Sequence, residues 1–181
     1  MGQENFKEMR KAMVVSQLRT TDVSDPRVIG AMAEVAREDF VPSANRSIAY
    51  SDRGVGIGED RALNTPLATG LLINAAQIRS DDNVLIVGAA TGYTAAVVSK
   101  LARSVVALEQ SAKLVSKAKA NLEAIENVSV EKGKLADLII VDGDPSKDLR
   151  VLAERSNIKA VVKNGEFITN DLEPVAAHEA A

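Results

Sequence analysis

A change of period at residue 84 constrains this chain more than any other feature. Val84-Leu85-Ile86-Val87 is a short unbroken apolar run that stops at Gly88, the pattern of a strand buried on both faces. Gly88-Ala89-Ala90-Thr91-Gly92-Tyr93 leads into Thr94 to Ala102, a segment rich in Ala and Val that reads as a buried helix. Ser104-Val105-Val106-Ala107-Leu108 is a second buried strand ending at Glu109. Residues 111 to 125 form an amphipathic helix with Lys113, Lys117 and Lys119 on its wet side, and Val128 to Val130 offers a third strand. Strand, helix, strand, helix, strand is the doubly wound α/β pattern.

Upstream the period is helical. Phe6, Met9, Met13, Val14, Gln17 and Leu18 fall at mixed three- and four-residue spacings, which gives one apolar stripe to a helix over 5–20. Asp25 is placed to cap a second helix with Pro26 at its first position, and that helix is expected to end near Phe40, because Pro42 holds Val41 extended. Ser51 to Asn64 carries Gly54, Gly56 and Gly58 and reads as loop or short strand; connections of that length are usually functional. Pro66 to Ala75 suggests a third helix, closed by the polar group Arg79 to Asn83.

Composition removes whole classes of chemistry. The 181 residues suit one domain, or one domain with an appendage. With 46% hydrophobic and 26% charged residues the chain has apolar mass for a core and no membrane span. Zero cysteines exclude disulfides, thiolate metal sites and cysteine nucleophiles, and the single histidine, His178, excludes a multi-histidine metal site or a serine–histidine–aspartate triad. A net charge of -3 with both signs interspersed gives no basic footprint, so no nucleic-acid partner is expected. Met1 to Arg10 holds no apolar signal core, and a cytoplasmic protein is expected.

The strand-to-helix turn carries the chemistry. Small residues at Gly88, Ala90 and Gly92 let the backbone approach a ligand, and an acid at the end of the next strand, Glu109, can accept the two hydroxyls of a ribose. The same residues also suit a merely tight turn and a solvated strand end.

Several segments resemble one family. Met13-Val14 through Arg19, Asp25 to Ile29, Ala31-Met32, Val35 to Pro42 and Ala49 to Asp52 resemble the N-terminal segment of protein-L-isoaspartate O-methyltransferases. Val84 to Tyr93 and Val105 to Glu109 resemble that family's S-adenosylmethionine-binding strands, so the likeness runs from about residue 9 to about residue 133. The resemblance implies a Rossmann-like methyltransferase sheet with N-terminal helices, S-adenosylmethionine as cofactor, and methyl transfer to the carboxylate of L-isoaspartyl residues in damaged proteins. It places Gly88, Ala90, Gly92 and Glu109 at the cofactor, and Asn64 and Thr65 in the loop where the family has a catalytic serine.

Three positions depart from the family pattern. Asn64 replaces the serine, Ile86 replaces the acid of the first strand, and Lys134 stands where a Gly-Asp-Gly run is expected. They support a second expectation, a catalytically impaired member that acts as a nucleoside-binding or protein-interaction module.

The tail follows another pattern. Lys134 to Pro145 and Ile158 to Ile168 resemble the C-terminal end of metal-dependent amidohydrolases, but the barrel and metal ligands of those enzymes are missing. The C-terminal half is thus expected to be shortened or replaced. Between Val130 and Leu138 there is no room for the helix that a parallel crossover needs. Two arrangements remain: a hairpin that sets Leu138 to Val141 antiparallel to its neighbour, or loss of strand three, with Leu138 to Val141, a helix over Ser146 to Arg155 and a strand over Ile158 to Lys163 imitating the missing half. Asp142 and Asp144 read as turn-forming acids. The expected organisation is a helical and loop segment over 1–65, a cofactor-binding core over 66–133, an atypical segment over 134–170 and a disordered tail over 171–181, with self-association through the replaced half.

Overall fold

The computed structural model describes residues 5–133, 138–141, 158–163 and 166–170. The chain divides into two compact units, Met1–Lys132 and Gly133–Ala181.

In the first unit the caps set the helices. Asn5 accepts a hydrogen bond from the Glu8 amide at 3.3 Å and starts α1 (Phe6–Met13), which continues as a π-helical turn over Val14–Leu18. That turn buries both Val14 and Leu18. Asp25 caps α2 (Pro26–Glu34) by accepting from the Arg27 amide at 2.8 Å. The helix stops at Glu34, short of the expected end at Phe40, because Val35 leaves the helical region at φ -72° and ψ 123°. Pro42 controls only Val41, which is extended as foreseen. The residues between form a 3₁₀ turn, Arg37–Phe40, that buries Arg37, Glu38 and Phe40. A helix through this stretch would follow the local pattern; the demand of two buried charges for partners overrides it.

The glycine-rich stretch is a two-stranded hairpin, β1 (Val55–Gly58) paired antiparallel with β2 (Arg61–Leu63). Its turn residues Glu59 and Asp60 both have positive φ, 57° and 53°, the geometry that matches strand twist in a two-residue hairpin. Thr65 caps α3 (Pro66–Ala75), its hydroxyl accepting from the Ala68 amide at 3.0 Å. Gly70 allows α3 to sit close: a Cβ there would lie 3.1 Å from Leu18 and from Val23.

The α/β core alternates β3 (Asn83–Val87), α4 (Tyr93–Val98), β4 (Ser104–Glu109), α5 (Ala112–Leu122) and β5 (Val128–Lys132). The strands are parallel in the order β3-β4-β5, with Val84 opposite Val105 and Val105 opposite Val128. One face belongs to the core, where Val105, Ala107 and Val130 are buried. The other face corrects the expectation of a strand buried on both sides: Leu85 is 55% and Val87 63% exposed. An apolar run shows that a strand can be covered twice; whether a second layer is supplied lies elsewhere in the chain.

In the second unit β6 (Leu138–Val141), β7 (Ile158–Lys163) and β8 (Glu166–Asn170) form an antiparallel sheet in the order β6-β7-β8. The strands expected over Leu138 to Val141 and Ile158 to Lys163 are present as β6 and β7, but their pairing corrects both arrangements drawn from the sequence. Strand three is retained as β5, and Leu138–Val141 pairs with β7 rather than with β5. An antiparallel ladder needs no helical crossover, and the sequence between β7 and β8 is Asn164-Gly165, a strong two-residue hairpin signal. Lys134, Asp142, Asp144, the helix expected over Ser146 to Arg155 and the tail with His178 lie outside the described residues.

Candidate functional site

The site is built on the turn between β3 and α4. Gly88 and Gly92 have φ of 76° and 97°, and Ala90 between them has φ 55°. Three left-handed residues in five fold the chain back so that the amides of Gly88 and Ala89 both donate to the Leu108 carbonyl, at 2.9 and 3.0 Å. Gly92 is required by packing as well as by its φ: a Cβ there would meet Leu122 Cδ1 at 2.7 Å. The space beside Gly92 thus belongs to the side chain of α5, and whatever Gly92 offers a ligand comes from its backbone. Thr91, which the sequence did not single out, donates through its hydroxyl to the Phe40 carbonyl at 2.6 Å and ties the turn to the N-terminal segment.

Glu109 is 1% exposed and stands against this turn. One carboxylate oxygen accepts from the Ala90 amide at 2.7 Å; the other accepts from the amides of Gln110 and Ser111 at 2.9 and 3.0 Å. A carboxylate offers about four lone-pair sites. Three are used, and Arg61 Nη1 approaches, at 3.6 Å, the oxygen that accepts from Gln110 and Ser111. The solvated strand end is therefore excluded: Glu109 organises the turn, and three of its lone-pair sites are engaged by backbone amides. Of the predicted cofactor residues, Gly88, Ala90, Gly92 and Glu109 are brought together at this corner.

A cavity of about 470 Å³ opens beside it, lined by Glu59, Arg61, Glu109, Gln110, Ser111, Ala112 and Lys113. That volume is within the range of small-molecule sites, roughly 300–1,000 Å³. Two surface grooves of about 550 and 560 Å³ flank α2, but neither gathers a buried charge.

Asn64 and Thr65 lie at the start of α3. The Thr65 hydroxyl is engaged as an N-cap, while Asn64 is exposed and its main-chain carbonyl accepts from Arg37 Nη2. Arg37 is wholly buried, donates to the Ala49 carbonyl at 2.6 Å and stacks on the Tyr93 ring at 4.7 Å from its centroid. Burial lowers the Arg37 pKa from its ordinary value. Beside it Tyr50 donates to Glu38, while its oxygen accepts from Arg10 Nε at 2.8 Å and from the Arg37 amide at 3.2 Å. Burial, with the Glu38 carboxylate, pushes the Tyr50 phenol up. Arg37 and Arg61 are the residues the sequence reading passed over. Their only signals were the charged run Arg37-Glu38-Asp39 between apolar flanks and a cation in the glycine-rich loop.

The family model of protein-L-isoaspartate(D-aspartate) O-methyltransferases matches residues 9–153. The chain belongs to this family. The match reaches past residue 133 into the segment that resembles the end of an amidohydrolase. Among curated relatives, protein-L-isoaspartate O-methyltransferase 1 of Rhodopseudomonas palustris is 37% identical over 131 residues, 71% of this chain and 54% of the relative. That of Methanoregula boonei is 38% identical over 126 residues, 68% of this chain and 58% of the relative. The chain spans a little over half the length of these relatives. A solved protein-L-isoaspartate O-methyltransferase superposes with a TM-score of 0.63 at 30% identity, covering 69% of this chain and 42% of that one. A Plasmodium falciparum structure, described as in complex with S-adenosyl-L-homocysteine, gives a TM-score of 0.59 at 18% identity over 68% of this chain and 62% of that one, a likeness of fold. The Rossmann-like methyltransferase fold is thereby shown.

Proposed function

We propose that the corner formed by Gly88, Ala90, Gly92 and Glu109 holds S-adenosylmethionine, and that the chain methylates the carboxylate of L-isoaspartyl residues in damaged proteins. The observation that carries this reading is Glu109, a buried acid with one lone pair left, at the mouth of a cavity of about 470 Å³. The residues present fit the cofactor: a hydroxyl of its ribose can take that lone pair, and the left-handed turn brings backbone within reach. When bound, S-adenosylmethionine supplies an electrophilic methyl; its transfer forms a carbon–oxygen bond and breaks the carbon–sulfur bond, with the electron pair left on sulfur.

The rest is alignment. The acceptor carboxylate is ionised at neutral pH, so no general base is needed, and positioning supplies most of the acceleration. The amide of Asn64 donates to that carboxylate in the role the family gives to serine. Thr65 contributes by capping α3 and fixing where Asn64 stands.

The reading is tested by titrating the purified protein calorimetrically with S-adenosylmethionine and S-adenosylhomocysteine, then assaying methyl transfer to an isoaspartyl peptide. Binding near micromolar, about -8 kcal/mol, with transfer to the peptide is expected. Binding without transfer would leave a nucleoside-binding module, and no binding of either would remove the cofactor.

Partners and location follow as proposals. No helix among the described residues is long and apolar enough to cross a membrane, and a cytoplasmic protein acting on protein or peptide, with no nucleic acid, suits the charge. Self-association is favoured by the exposed Leu85, Val87 and Val106; sedimentation across a concentration series checks it.

A further inference from the structure

Arg61 sits at the cavity with donors to spare. A guanidinium presents five N–H groups in a fixed fork, yet this one makes no hydrogen bond among the described residues. Its nearest anion is Glu109, 3.6 Å from Nη1, beyond hydrogen-bond reach and already served by three backbone amides. Nη2 lies 3.4 Å from where a Cβ on Gly88 would stand, so the fork covers the open side of the turn. The side chain is 43% exposed, over the cavity it lines.

The hairpin holds this cation in place. Glu59 accepts from Lys113 at 2.8 Å and from Ser111 at 3.3 Å, and Lys117 donates to the Ile57 carbonyl at 3.2 Å. The hairpin that carries Arg61 is thus fastened to α5 and its cap through the turn and β1, so the backbone from which the side chain reaches is placed before a ligand arrives. A cation that makes no hydrogen bond among the described residues, and only a 3.6 Å ion-pair contact with Glu109, is equipped to meet a second anion at the cavity it lines.

We infer that Arg61 is the specificity-determining residue of the site: its fork grips the carboxylate of the ligand's amino-acid end and selects S-adenosyl amino acids over nucleosides that lack it. This rests on the cofactor proposed above. A nucleotide phosphate presents similar anionic chemistry and serves as a comparison.

The test is calorimetric titration of the unsubstituted chain, Arg61→Ala and Arg61→Lys with S-adenosylhomocysteine, 5′-methylthioadenosine and adenosine 5′-monophosphate. Arg61→Ala is expected to bind S-adenosylhomocysteine roughly tenfold to hundredfold more weakly, the worth of a charge-assisted contact. Methylthioadenosine, which has no carboxylate, should change by less than about twofold, and Arg61→Lys should fall between, because it keeps the charge and loses the fork. Equal losses for both ligands, or no loss for either, would overturn the assignment, as would tighter binding of the monophosphate than of S-adenosylhomocysteine. Should Arg61→Ala fail to fold, the same comparison is read from Arg61→Lys. If the unsubstituted chain binds neither adenosyl ligand, the cofactor reading has failed and this assignment with it; binding of both without a selective loss defeats this assignment alone.

Discussion

Two buried charges a short distance from the same turn are used in opposite ways. Arg37 is 0% exposed and gives Nε and Nη2 to main-chain carbonyls, Ala49 in one loop and Asn64 in another, with the Tyr93 ring against its face and Nη1 left without a partner among the described residues. Its neighbour Glu38 is engaged with Arg10 and Tyr50. Glu109 is as deeply buried, but its partners are the amides of the turn it organises, and the cation beside it is 43% exposed. A buried charge with every neighbour inside the fold fastens segments together. One that lines a cavity, beside a cation that makes no hydrogen bond among the described residues, is the one proposed to meet a ligand. Stability and binding should therefore separate between the two.

The sharpest way to break the comparison is Arg37→Ala. It strands the carbonyls of Ala49 and Asn64 and removes a stacked cation, at about 3–5 kcal/mol. Thermal unfolding should fall by roughly 10 °C or more, and a loss under about 1 kcal/mol would show that Arg37 fastens nothing. Gly92→Val comes next, at about 2–4 kcal/mol from the left-handed backbone and the contact with Leu122. Pairing it with Leu122→Ala should recover part of that loss in denaturant titrations, since the clash goes and the backbone strain stays.

Glu109→Gln tests the other charge. An amide cannot accept from three N–H groups through both of its ends, so about 2 kcal/mol of stability should go. Nucleoside binding should fall with it, and intact binding would place the ligand elsewhere. Thr65→Ala removes the cap of α3 and should cost about 1 kcal/mol by chemical unfolding. A larger fall in methyl transfer than in stability would give Thr65 a role beyond capping.

The smallest effect is electrostatic. The Lys113 ammonium holds the Glu59 carboxyl below its usual value. A depressed folded pKa gives a contribution that is complete above the ordinary carboxyl value, about 4.3, and is lost as pH falls through the folded one. Hairpin amide shifts followed by NMR should report that loss at acid pH and not near neutrality, and Glu59→Gln should abolish it. High salt should weaken the same contact, because both partners are exposed.

How much of this was legible in the sequence follows from the range of the forces involved. Asp25 before Pro26, Thr65 before Pro66, the apolar runs at 84–87 and 104–108 and the small residues of the turn act within a few residues of themselves, so the caps, the parallel strands and the corner at Glu109 can be read directly. Arg37 could not, because its acceptors lie 12 and 27 residues away, and composition does not show which carbonyls a fold will turn inward. The exposed side of β3 and the antiparallel sheet of the second unit escaped for the same reason: an apolar run states what can be buried, and only the tertiary structure decides what arrives to bury it. Sequence alone determined the family, the fold class and the residues of the turn, which depend on local geometry. The tertiary structure decided that Glu109 is nearly saturated and that Arg61 stands beside it with no hydrogen bond among the described residues, because those facts depend on a hairpin about 50 residues away in the chain docking on α5.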